Sequence, residues 1–135
     1  MKKVLFITFC LLMSLTISAF SNSYSDIADR IFGNLKSGNS KEIAKDFSSS
    51  VSMSVIQDEG VYNKFQAELI LSEFFMKNKP LRLHTVQRTS NNTEYNYFVY
   101  QLITAKSAFR VFVKVNRIKS DPQIVEFRIE KQSTN

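Results

Sequence analysis

The chain has 135 residues, with 18 basic against 12 acidic, one histidine, one cysteine, three glycines and no tryptophan. That length holds one domain with one core, and its Phe and Tyr content excludes a disordered polymer. The basic excess is mild and scattered among acidic residues, so nucleic acid is not an expected partner.

Lys2 and Lys3 precede an uncharged apolar run from Val4 to Phe20. Ala19 and Ser21 form a small-x-small pattern suited to cleavage before Asn22, with Ile17-Ser18-Ala19 as a second candidate. A retained anchor needs about 20 apolar residues, and this run is interrupted by Thr8, Ser14, Thr16 and Ser18. Residues 1–21 are therefore expected to be a signal peptide, and residues 22–135 a single exported domain, periplasmic or extracellular, without a transmembrane anchor. Cys10 follows Phe9 in mid-segment, which is no lipobox. Cleavage removes Cys10 and both lysines, leaving 16 basic against 12 acidic residues, a net charge of +4. The mature chain then has no disulfide, thiolate nucleophile or thiolate metal site.

In residues 25–36 Ile27, Ala28, Ile31, Phe32 and Leu35 form one helical stripe, with Asp26, Asp29, Arg30 and Lys36 opposite. Gly38 is a C-terminal stop. Asn39 with Glu42 reads as a capping box for a short helix over 40–47. Val51, Met53 and Val55 alternate with Ser52 and Ser54, a half-buried strand, and Asp58-Glu59-Gly60 is expected to turn the chain. Asn63 with Gln66 caps a third helix over 64–76. Its Phe65, Ala67, Leu69, Ile70, Leu71, Phe74 and Phe75 wrap more than half the circumference, which predicts the most buried helix. Pro80 ends it. Strands are expected over 81–88, 93–104, 107–117 and 123–131, and their short connections make an antiparallel meander.

The register of the last two strands follows from parity and charge. Phe109, Val111, Val113 and Val115 form one inner set, and Val125, Phe127 and Ile129 the other. Matching them requires an odd-numbered loop. A three-residue loop, 120–122, opposes Lys114 to Arg128. A five-residue loop, 118–122, sets Lys114 against Glu126, Arg110 against Glu130 and Val113 against Phe127, and is favoured because like charges repel across strands.

The order α-α-β-α-β-β-β-β predicts an α+β domain, three N-terminal helices on one face of a strongly curved, mostly antiparallel sheet. It resembles the cone-shaped, cystatin-like fold of nuclear transport factor two and the ketosteroid isomerases. Val61-Tyr62, Lys64, Gln66-Ala67-Glu68, Ile70-Leu71, Phe74-Phe75 and Pro80 look like the central helix of a family of small exported bacterial proteins. That family is catalogued as a domain of unknown function, number forty-seven eighty-three. Phe109-Arg110-Val111 and Glu126-Phe127-Arg128-Ile129-Glu130-Lys131 are similar to its last two strands. The resemblance implies the fold and the compartment, and no activity.

His84 is the sole histidine, and with no cysteine beside it neither metal nor cofactor is expected. Enzymes of the resembled fold use an Asp or His with Tyr phenols at the pocket floor. Tyr100, sharing an alternation with Phe98 and Leu102, is the floor candidate, and Asp46 or Glu73 the candidate base. Ser48-Ser49-Ser50 lacks the glycines of a nucleophile elbow and reads as a solvated connection. Asn91-Asn92-Thr93 is formally a glycosylation sequon, of little weight in a chain that looks bacterial. An apolar pocket, if open, would be lined by Phe32, Leu35, Phe74, Phe98, Tyr100 and Leu102. The opposite sheet face would carry Tyr95, Tyr97, Val99 and Gln101 beside Arg110, Phe112 and Lys114, an aromatic and charged mixture of the kind found in interfaces. The expected function is a non-enzymatic binding module for a small apolar ligand or a protein partner, a second copy included. The rival is a small lyase or isomerase built on Tyr100 and a carboxylate.

Overall fold

A computed structural model describes residues 24–89 and 94–133. The expected signal peptide, residues 1–21, and the Asn91-Asn92-Thr93 sequon lie outside these residues. Among the described residues no helix is long and apolar enough to cross a membrane.

Helix α1, Tyr24–Ser37, buries Ile27, Ala28, Ile31 and Leu35. It stops at Gly38, whose φ is +66° and where a Cβ would lie only 3.1 Å from the Pro80 ring. Both constraints demand glycine. Helix α2, Ser40–Lys45, is capped by Asn39, whose side chain accepts from the Glu42 amide at 3.2 Å. It ends two residues before the expected Phe47. That ring is fully buried against Phe127, and it opens strand β1, Phe47–Val55.

The serine run belongs to β1, not to a solvated connection. Ser48 is buried with its hydroxyl donating to the Ser50 carbonyl, where the pairing of β1 with β6 shifts. The expected turn at Asp58-Glu59-Gly60 is instead strand β2, Asp58–Tyr62, and the chain reverses at Ile56-Gln57. Turn-type residues survive there because β2 is an edge strand, paired on one side only.

Helix α3, Lys64–Lys77, starts with the expected capping box between Asn63 and Gln66. Its burial differs from expectation. Ala67, Leu71, Phe74 and Phe75 face the core, whereas Phe65, Leu69 and Met76 are 69%, 54% and 83% exposed. A helix lying on one side of a sheet has one covered face, however apolar its circumference.

Strands β3 (Pro80–Arg88), β4 (Tyr95–Thr104), β5 (Ala108–Ile118) and β6 (Asp121–Lys131) complete a six-stranded sheet ordered β2-β1-β6-β5-β4-β3. Every pairing is antiparallel except β1 with β6. The sheet is curved and not closed, and the helices cover one of its faces, as expected.

The predicted register holds. Lys114 faces Glu126, Arg110 faces Glu130 and Val113 faces Phe127. The loop length does not. Ile118 pairs Asp121 across a two-residue turn, Lys119 and Ser120, both with positive φ. A bulge at Val125 supplies the missing parity step, so Ile124 is buried in place of Val125. The facing charges also choose other partners. Lys114 places its Nζ 5.0 Å from the Tyr95 ring and 5.6 Å from the Tyr97 ring, and Arg128 binds Glu130 on its own strand.

Candidate functional site

The pocket candidates occupy the layer between helices and sheet. Tyr100 lies 6.2 Å from Phe32 and 6.5 Å, stacked, from Phe98, and the Arg88 guanidinium is 5.7 Å from the Phe98 ring. Leu35 and Leu102 are fully buried in the same core. Phe74 packs instead against Phe75 and Phe109, at 5.4 and 5.1 Å. The structure therefore brings Phe32 and Phe98 each beside Tyr100, and sets Phe74 against other rings.

Burial pushes the Tyr100 phenol well above its ordinary range, with Arg88 pulling it down and Asp29 adding to the rise. The phenol is therefore neutral, a donor and not a base. Of the two candidate carboxylates, Asp46 is forked by Arg30, Nη2 to Oδ1 at 3.0 Å and Nε to Oδ2 at 3.4 Å. That hydrogen bond is the main reason the Arg30 guanidinium is held even more firmly protonated. Glu73 pairs with Lys77 at 3.1 Å. Among the described residues neither carboxylate is hydrogen-bonded to Tyr100. His84 is exposed on edge strand β3, opposite Gln101, and no cluster of His, Asp and Glu among the described residues could hold a metal.

The six interface candidates are brought together. The alternation of β4 and β5 puts Tyr95, Tyr97, Val99, Arg110, Phe112 and Lys114 on the face away from the helices. Val99 faces Phe112, Tyr97 faces Lys114, and Gln101 faces Arg110. Tyr95 and Tyr97 meet edge to face at 5.3 Å. Phe112 is half-buried under Arg128, whose guanidinium lies 5.0 Å from the ring, while Tyr97 is 39% exposed. Arg110 Nε is buried without a hydrogen-bond partner among the described residues.

Sequence reasoning missed how this face continues. Across β6 it runs into a groove of about 580 Å³ whose wall includes Glu59, Glu126, Arg128 and Glu130. Glu126 and Glu130 were legible from the alternation of β6, but Glu59 was not, because β2 carries turn-type residues. Elsewhere, cavities of about 330 and 340 Å³ open at the β1–β2 turn and beside α2. None of these three spaces is lined by Phe32, Leu35, Phe98, Tyr100 or Leu102, and Phe74 borders the first.

The profile of a family described as a domain of unknown function, DUF4783, matches residues 28–130. The chain belongs to that family. A DUF4783 protein from Bacteroides uniformis has a similar structure, with a TM-score of 0.76 at 23% identity over 80% of this chain and 99% of that one. A domain of unknown function with a cystatin-like fold from Nostoc punctiforme reaches 0.63 at 14% identity, covering 84% and 81%. An NTF-2 like protein of unknown function from Silicibacter pomeroyi reaches 0.59 at 10% identity, covering 87% and 100%. No curated protein matches the sequence. These likenesses give the DUF4783 chain its fold, and its chemistry rests on its own side chains.

Proposed function

We propose that this DUF4783 protein is an exported, non-enzymatic binding module that works through the outer face of its sheet, and that a second copy of the chain occupies that face. The observation that carries the reading is the division of the face into two halves. One is aromatic and basic, with Tyr95, Tyr97, Phe112, Arg110 and Lys114. The other is acidic, with Glu59, Glu126 and Glu130 around Arg128. A two-fold axis lays each half on its opposite, and such an isologous contact needs a self-complementary patch of this kind. Arg110 Nε, buried and without a hydrogen-bond partner among the described residues, gains an acceptor there. Against catalysis stand the engagement of Asp46 by Arg30 and of Glu73 by Lys77.

Phe112→Asp sets a carboxylate in the middle of the aromatic half without touching the helix-covered core. It is expected to weaken dimerisation about thirtyfold or more, the scale of an interface hot spot, with unchanged circular dichroism. Sedimentation equilibrium reads this directly, and a wild-type protein that stays monomeric at every accessible concentration refutes the dimer. Export rests on the Lys2-Lys3 start and the apolar run to Phe20. Protein recovered outside the cytoplasm should begin at Asn22, and an intact N terminus on cytoplasmic protein refutes that half.

A further inference from the structure

The cavity of about 330 Å³ at the β1–β2 turn shares no residue with the outer sheet face, and its size is within the range of small-ligand sites. Val55 and Phe74, both buried, line its floor. Ile56 stands at its mouth, 52% exposed and with φ +57°. A β-branched residue in the left-handed region is a strained outlier. The first position of a two-residue hairpin turn with positive φ ordinarily goes to glycine, which has no side chain to lay over the opening. The Ile56 amide is tied to the Ile129 carbonyl at 3.2 Å, so the turn is held in this shape. Strain of this kind gathers at ligand clamps.

The surroundings of the cavity favour positive charge. Helix α3 ends at its rim, presenting the negative end of its dipole. Glu73 and Lys77 offset each other at 3.1 Å. The carboxylate of Asp58, which lines the same cavity, has no hydrogen bond or ion pair among the described residues, which leaves one carboxylate in excess.

We propose that this cavity binds a small cationic amphiphile, its apolar body on Val55 and Phe74 under Ile56, its ammonium group between Asp58 and the end of α3. The test titrates isotope-labelled protein with 2-phenylethylamine, and with 3-phenylpropanoate as the anionic counterpart. Saturating amide shifts are expected at residues 55–58 and 73–78, with the acid about tenfold weaker. Ile56→Gly should raise the unfolding midpoint, because the strain goes, while weakening the amine about tenfold, because the clamp goes. Asp58→Asn should narrow the difference between amine and acid. Shifts elsewhere or none at all, equal or tighter binding of the acid, or undiminished binding to the Ile56→Gly protein would each overturn the proposal. None of these outcomes depends on whether the sheet face dimerises.

Discussion

Truncating Phe127 to alanine is expected to cost about 3–5 kcal/mol, the range for buried aromatic deletions. Phe127 is fully buried on β6, the third of six strands, where it faces Val113 of β5 on one side and Met53 of β1 on the other. Its ring meets that of Phe47 edge to face at 5.8 Å. The neighbours are themselves buried and fixed in the ladders, so they cannot collapse into the vacated volume, and the cavity term comes on top of the lost transfer energy. A domain of this size has about 5–15 kcal/mol in all, so the loss is about a fifth of its stability at the least and the whole of it at the most. Urea unfolding measures the loss, and a value below about 1 kcal/mol would contradict the burial of this ring. A double-mutant cycle with Phe47→Ala should give a coupling of about 0.5–1.5 kcal/mol, the part specific to the ring pair.

The second large effect separates two leucines two positions apart on α3. Leu71 is fully buried and Leu69 is mostly exposed. Leu71→Ala should cost about 2–5 kcal/mol. Leu69→Ala should stay within about 0.5 kcal/mol of the parent, since alanine suits an exposed helix position and no contact in the core is lost. Thermal or urea unfolding of the two proteins side by side decides the matter. Equal losses would mean that the helix is covered on both sides, as its apolar circumference first suggested.

That pair also shows where reading from sequence stops. The caps of α2 and α3, the stop at Gly38 and the alternation along β4 and β5 are local properties, carried by neighbouring side chains and backbone groups. For that reason they were legible. The six outer-face residues were legible too, because alternation alone sorts one side of a strand from the other. So was the register of β5 on β6, although a bulge at Val125 and not a longer loop supplied its parity. The groove wall at Glu59 was hidden because Asp58-Glu59-Gly60 is turn-like in composition, and only pairing with β1 makes it a strand.

By itself, then, the sequence determined which segments are helix or strand over most of the chain, which face of each long strand is apolar, and that no cysteine lies beyond Cys10 to staple the domain. The tertiary structure alone decided which stripe of α3 is covered, that β2 exists, and that the chain turns at a strained Ile56. It also decided that the charges facing across β5 and β6 turn to ring faces and to a same-strand partner instead. The physical reason is range. Caps and periodicity act over a few residues, whereas the β1–β6 pairing that brings Ile129 to the Ile56 amide joins segments more than fifty residues apart, and the covered stripe of α3 is chosen by contacts outside the helix, such as that of Phe74 with Phe109 of β5.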